Sequence, residues 1–269
     1  MNGPADPIPV LLYHAVMEDP PDWIAEFTVT PRRFREHLDA VVDSGRTAVP
    51  VSALAARGAG SGAVSLPGRP VVLTFDDGFA DLPGPTAEAL AARALPATAY
   101  LTTGAVTPGR SSLLPPAPMM TLAQAPALEQ HGIEVGAHTV THPQLDTLPP
   151  RLVRRELRES KLVLEGVLGH AVDHLAYPHG YSSRAVRRVA RDVGYVSAVA
   201  VRHALSSPVG DTFRIARLIV RRSHTAADVA AWMAGRGARP APGRDSPATV
   251  GWRLYRRART AVRGVEFAG

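Results

Sequence analysis

Two short segments carry residue types whose spacing could do hydrolytic chemistry. In the first, Phe75-Asp76-Asp77-Gly78, two adjacent carboxylates end the apolar run Val71-Val72-Leu73-Thr74-Phe75. Carboxylates side by side at a buried strand end repel each other unless a positive group sits close. Taken alone, the dipeptide reads more simply as a solvated Asp-Gly turn. The second segment, His138-Thr139-Val140-Thr141-His142-Pro143, follows another apolar run, Ile133–Ala137. Histidines four apart share one face of a helical turn, so both imidazoles can reach one metal. The chain has no Cys, so any metal must be held by His and carboxylate. Two imidazoles and one aspartate leave an open position for water, the arrangement of a catalytic site. A bound cation pulls the pKa of water down to about 7, and the second carboxylate can take its proton. The predicted chemistry is hydrolysis.

The elements that must position these groups follow from apolar periodicity. Val10-Leu11-Leu12-Tyr13, Val71–Phe75, Ala97–Leu101, Ile133–Ala137, 174–177, 195–200 and 215–220 read as strands. Between them lie predicted helices. One is capped by Thr30-Pro31, carries Phe34, Leu38, Val41 and Val42, and closes at Gly45. Others span 85–93, 122–130, 151–168 (with Val153, Leu157, Leu164 and Leu168 on one face) and 183–193. Loops are expected at 57–70 and 107–118 from their Gly, Ser and Pro content. Strand–helix alternation of this length implies an α/β fold with a mainly parallel sheet, open or closed into a barrel. Such folds place ligands at the carboxyl ends of their strands, where both segments fall.

Composition bounds the function. With 269 residues, 45% hydrophobic and 20% charged, the chain is globular rather than disordered. The absence of Cys excludes disulfides and thiolate nucleophiles. Lys161 is the only lysine, so nearly all of the 30 basic residues are arginine. The +6 formal charge is scattered rather than striped, which argues against nucleic acid as a partner. Met1 to Leu12 has no basic leader, and no stretch approaches the ~18–20 apolar residues of a membrane span. The expected location is cytoplasmic. Residues 235–246 read as a Pro/Gly/Arg linker. Trp252, Leu254 and Tyr255 then mix with Arg253, Arg256, Arg257, Arg259 and Arg263 in a basic tail. The expected division is a catalytic domain over 1–235 and a linker with tail over 236–269. The tail is either a packed terminal helix or a weak peripheral contact with an anionic membrane.

Thr74-Phe75-Asp76-Asp77-Gly78, His138-Thr139-Val140-Thr141-His142-Pro143 and Ala176-Tyr177-Pro178-His179-Gly180 resemble, in order, the first three motifs of the polysaccharide deacetylases (the NodB homology domain, carbohydrate esterase family 4). Leu12-Tyr13-His14 resembles the first-strand motif of many members, and the resemblance runs over residues 8–233. It implies a distorted (β/α) barrel and metal-dependent removal of an N-acetyl group, usually from an aminosugar. By position it assigns Asp76 as base and Asp77, His138 and His142 as ligands of one divalent ion. Zinc suits such ligands best, with cobalt, nickel or iron also compatible. Tyr177, Pro178 and His179 would form a groove wall, with the His179 backbone N–H helping to hold the oxyanion. His14 is expected to face the cleft. Two positions depart from the family pattern. Ala176 stands where many members carry an arginine that orients the base, so Arg214 is expected to act instead, with Arg217 second. The late histidine that supplies the general acid is expected at His224, with His203 as the alternative. The expected substrate is an N-acetylated aminosugar or a biosynthetic intermediate containing one. A non-sugar amide or imide hydrolase and a degenerate carbohydrate-binding protein are the alternatives.

Overall fold

Strand parity decides which side chains each stave of this fold turns inward. The structure, a computed structural model, describes residues 6–56, 66–207, 210–243 and 245–267. Its strands are β1 (Val10–Tyr13), β2 (Thr47–Ala48), β3 (Pro70–Asp77), β4 (Ala97–Leu101), β5 (Ile133–Ala137), β6 (His174–Ala176), β7 (Ser197–Val201) and β8 (Ile215–Ile219). Every pairing between them is parallel. β1 pairs with both β3 and β8, so seven strands close in the order β1-β3-β4-β5-β6-β7-β8, and β2 adds to the start of β3. The fold is therefore the expected parallel (β/α) barrel, with seven staves where a regular barrel has eight.

The helices are α1 (Pro31–Asp43), α2 (Val51–Ala56), α3 (Ala87–Ala91), α4 (Thr103–Val106), α5 (Ala125–Gln130), α6 (Pro150–Leu168), α7 (Arg184–Val193), α8 (Ala226–Met233) and α9 (Pro247–Arg263). Successive strand residues face opposite sides. Val10, Val72, Tyr100, Ala176, Val199 and Ile215 meet inside the ring. Their neighbours Leu11, Leu73, Phe75, Ala99 and Leu175 turn outward and pack under the helices. The Thr30 side chain caps α1 by accepting from the Arg33 N–H, and the helix buries Phe34, Leu38 and Val41. Val42, expected on that face, is exposed to solvent.

Several boundaries differ from the sequence expectation for local reasons. The helix expected over 85–93 begins as a wide turn, Leu82–Thr86, interrupted at Gly84 before α3. Tyr195 lies outside β7 because its N–H bonds back to the Ala190 carbonyl at the end of α7, where Gly194 takes a left-handed conformation. Most of the loop expected at 57–70, namely 57–65, lies outside the described residues. The stretch 235–246 is tied to the barrel: Leu205 donates to Arg239 O and accepts from Ala241 N. In α9, Arg253 and Arg256 pair with the buried Asp146 carboxylate, and Arg257 Nε donates to the Asp146 carbonyl. Leu254 and Tyr255 stay exposed, as does Trp252, whose indole N–H donates to the Tyr181 hydroxyl. No helix among the described residues is long and apolar enough to cross a membrane.

One buried carboxyl gives the fold a pH signature. Burial raises Asp81 to about 6, although the Thr86 hydroxyl and backbone N–H groups bond to it. A folded-state value above the unfolded one means that the folded chain holds this proton more tightly. Stability is then greatest below the unfolded value and falls as pH rises through about 6. Asp81→Asn should recover about 3 kcal/mol at pH 8 and little at pH 4. Equal gains at both pH values in denaturant melts would refute the assignment.

Candidate active site

β3 carries Val72, Thr74 and Asp76 on its inward face, and it ends where Asp77 adopts φ +73 and Gly78 φ +93. That turn swings the second carboxylate back over the barrel mouth instead of out toward the helices. Inside, Arg217 of β8 grips Asp76 with two hydrogen bonds, Nη1 to Oδ1 at 2.6 Å and Nη2 to Oδ2 at 2.7 Å. Nη1 also donates to the Thr74 hydroxyl at 3.2 Å, and the guanidinium lies 5.7 Å from the Tyr100 ring centre. Arg217 is fully buried, and such a bidentate fork fixes both the position and the charge of its partner. Burial alone would push Asp76 up, but Arg217, its hydrogen bonds and His138 hold it below the ordinary carboxylate value. Asp77 has no such partner. Burial, reinforced by the charge on Asp76, pushes it well above that range.

His138 leaves the end of β5 with Nδ1 2.8 Å from the Ala176 carbonyl, so its proton sits there and Nε2 is left as a lone pair. This contact comes from the backbone, so the third motif performs it with alanine in place of arginine. The segment to His142 is not helical: Thr139 has φ +68 and His142 φ +63. The two imidazoles converge because the loop folds back, not because they share a helical face. Glu156 of α6 holds that loop. Its carboxylate is buried and accepts from the Val140 and Thr141 N–H groups (3.0 and 2.9 Å) and from the Thr141 hydroxyl (2.9 Å). Glu156→Ala would leave these donors unpaired and should weaken metal affinity about 10–100-fold. Unchanged affinity in a metal titration would show that the loop holds its shape without Glu156.

The donor set fits a divalent ion. His138 Nε2 and His142 Nε2 lie 3.6 and 3.4 Å from Asp77 Oδ1, and the three candidate ligand atoms fall within 4.8 Å of one another. Tetrahedral coordination at about 2.0–2.1 Å would set ligand atoms about 3.4 Å apart. Asp77 Oδ1 is buried without a hydrogen-bond partner. Arg217 bonds to Asp76 and leaves Asp77 unpaired, so a cation against Asp77 would supply the charge that the protein leaves out.

These groups open on a cavity of about 350 Å³ lined also by His14, His179, Trp23, Leu114 and Phe267. Burial lowers His14 and His179 to about 4, so both are neutral at neutral pH. His179 has φ +56, and its ring stands 4.7 Å from that of His142. Gly180 beside it has φ +73, and a Cβ there would lie 2.3 Å from Val201 N, so only glycine fits. Tyr177 and Pro178 are buried behind the cavity wall, with the Tyr177 hydroxyl directed at Phe213 O.

Three expected residues lie elsewhere. Arg214 pairs with Asp245 at 3.1 Å, and Arg217 occupies the role sought for it. Arg217 shares its β8 face with Ile215, which points inward, whereas Arg214 lies in the turn Thr212–Arg214 just before that strand. His224 and His203 stack 6.0 Å apart beside Trp232, outside the cavity. His224 accepts from Arg221 N, and its carbonyl receives the His37 ring, while Thr225 and Asp228 form a capping box that fixes this segment as a helix start. Glu156, Trp23 and Phe267 carry no local sequence signal that marks them as part of the site.

The family model described as Polysaccharide deacetylase matches residues 63–198. The Bacillus subtilis protein YxkH, named for the same family, is 24% identical over 197 residues, which cover 71% of this chain and 63% of that protein. The match therefore spans less than two thirds of that relative. Among solved structures, the Streptococcus pyogenes deacetylase PplD in complex with acetate superposes with a TM-score of 0.73 at 24% identity, covering 84% of this chain and 97% of that one. IcaB from Ammonifex degensii superposes with a TM-score of 0.71 at 24% identity, covering 85% and 97%. Both likenesses are in the fold.

Proposed function

This chain belongs to the polysaccharide deacetylase family, and from that premise we propose that it is a metal-dependent N-deacetylase acting on an acetylated aminosugar. The observation that carries the reading is the unequal aspartate pair. Asp76 is neutralised and oriented by Arg217, while Asp77 faces two imidazoles across metal-ligand distances. A binding module has no use for a base beside a metal.

Asp77, His138 and His142 would hold the ion, most plainly zinc, which when bound supplies Lewis acidity toward the amide carbonyl and toward water. Asp76 takes the proton from the attacking water. Arg217 keeps that carboxylate ionised and aimed, so that it need not reorient as the reaction proceeds. The C–O bond forms, the C–N bond breaks, and the proton passes to the departing amine nitrogen. His224 and His203 lie outside the cavity, so Asp76 is assigned the return of the proton as well. The His179 backbone N–H is assigned to the oxyanion, and His14 to contact with the substrate. Asp76, Asp77, His138 and His142 are all buried, so these groups act with little screening by bulk solvent.

The test is acetate release by metal-loaded protein from free, nucleotide-linked and polymeric N-acetyl aminosugars, with a cyclic imide and a simple N-acetyl amine alongside. Acetate from a sugar is the expected result. Hydrolysis of the non-sugar compounds alone would move the activity to another amide class, and no hydrolysis at all by metal-loaded protein would refute it.

A further inference from the structure

The catalytic cavity has one wall that comes from outside the barrel. Phe267 lies just beyond α9 and lines the cavity together with the metal-ligand candidates. Its ring meets Trp23 edge-on at 5.4 Å between centroids, and it stands 5.9 Å from His179 and 6.4 Å from His142. Trp23 in turn packs on Phe79, 6.0 Å away, and donates its indole N–H to Pro116 O, so that side of the wall is fixed to the barrel loops.

The segment bearing Phe267 is anchored by charge. Arg253 and Arg256 converge on Asp146, which follows the His142 loop and is 1% exposed. Arg253 also reaches the Ser182 carbonyl, and the Arg256 guanidinium lies 3.6 Å over the Tyr181 ring, two residues from His179. The helix thus grips both loops that carry site histidines and delivers an aromatic ring to the space between them. With Phe267 in place the cavity still measures about 350 Å³, so the ring is a wall and not a plug. That volume is near the lower end for a small-molecule site.

We propose that Phe267, with Trp23, is a specificity-determining residue that closes the cleft around a single acetylated sugar unit. The apolar C–H face of a pyranose packs on such rings, whereas an open groove would admit the interior of a polymer. The inference rests on the deacetylase reading above. Phe267 touches no reacting atom, and its expected effect is on binding and on substrate length.

The experiment compares metal-loaded wild type, Phe267→Ala, Phe267→Tyr and a chain ending at residue 263. Acetate release is followed from a monosaccharide N-acetylglucosamine glycoside and from its β-1,4-linked pentamer. Phe267→Ala and the shortened chain should raise KM for the monosaccharide about tenfold and leave kcat within about threefold. Both should also shift the pentamer-to-monosaccharide ratio of kcat/KM toward the pentamer, and Phe267→Tyr should restore wild-type behaviour. Unchanged KM and an unchanged ratio in an active enzyme would overturn the role of Phe267 alone, and a rise in kcat/KM for both substrates would overturn it in favour of an inhibitory contact. A wild type that is inactive on both sugars and on the wider panel above would remove the deacetylase reading and this inference together.

Discussion

Asp76→Asn should keep its metal and lose turnover by about 10²–10⁴-fold, the usual worth of a positioned general base. The side chain is not a ligand candidate: its two oxygens are taken by Arg217 at 2.6 and 2.7 Å. An amide in that place cannot accept the proton of water. It would also turn an N–H₂ toward one arm of a fully buried guanidinium, leaving that charge poorly paired. Removing one partner of a buried pair is expected to lower stability by about 3 kcal/mol. Loss of turnover could therefore be confused with loss of fold, and a second substitution separates them. Asp76→Asn with Arg217→Met removes the stranded charge with little change in volume. It should recover much of the melting temperature and none of the activity. If Asp76→Asn turned over at a rate near wild type, the base would have to be another group.

Replacing any one of the proposed ligands should act on metal first and on turnover in consequence. His138→Ala and His142→Ala each delete one of three donor atoms that lie within 4.8 Å of one another, and Asp77→Asn replaces the third, a charged carboxylate oxygen, with a weaker neutral amide oxygen. Occupancy measured by elemental analysis should fall from about one ion per chain to near zero after dialysis, and acetate release should fall with it. The three should differ in stability. Asp77→Asn removes a carboxylate that burial and Asp76 already push toward its neutral form, so the metal-free protein should melt no lower than metal-free wild type. His138→Ala instead frees the Ala176 carbonyl and opens a void among buried side chains, and should melt lower. Full occupancy in any of the three would exclude that residue as a ligand.

Much of the architecture was legible in the chain because parallel strands buried on both faces read as unbroken apolar runs. Val71–Phe75 and Ala97–Leu101 are of this kind, and both became staves of the ring. Closure was not legible from these runs, since it depends on β1 pairing with β3 some sixty residues away. The metal-ligand candidates were found through a motif, but the geometric reason first given for the histidine pair fails, because Thr139 and His142 are left-handed rather than helical. Arg217 could have been preferred over Arg214 on strand parity alone, as Ile215 and Arg217 repeat the inward alternation of Val72, Thr74 and Asp76. His224 misled because its spacing from the other motifs said nothing about the capping box beside it. Phe267 was beyond reach. It enters the site through ion pairs between Arg253, Arg256 and Asp146, more than a hundred residues apart in sequence, and a basic tail with scattered aromatics has no pattern that reports such a contact.

The most direct measurement is a titration of chelator-treated protein with zinc, following ions bound per chain and the rate of acetate release from an N-acetyl aminosugar in the same samples. The expected result is a single tight site, with the rate rising in proportion to its occupancy and reaching a plateau at one ion per chain. A rate already at its plateau before any ion is bound, or one that stays at zero with the site full, would contradict a metal held by Asp77, His138 and His142 working beside Asp76.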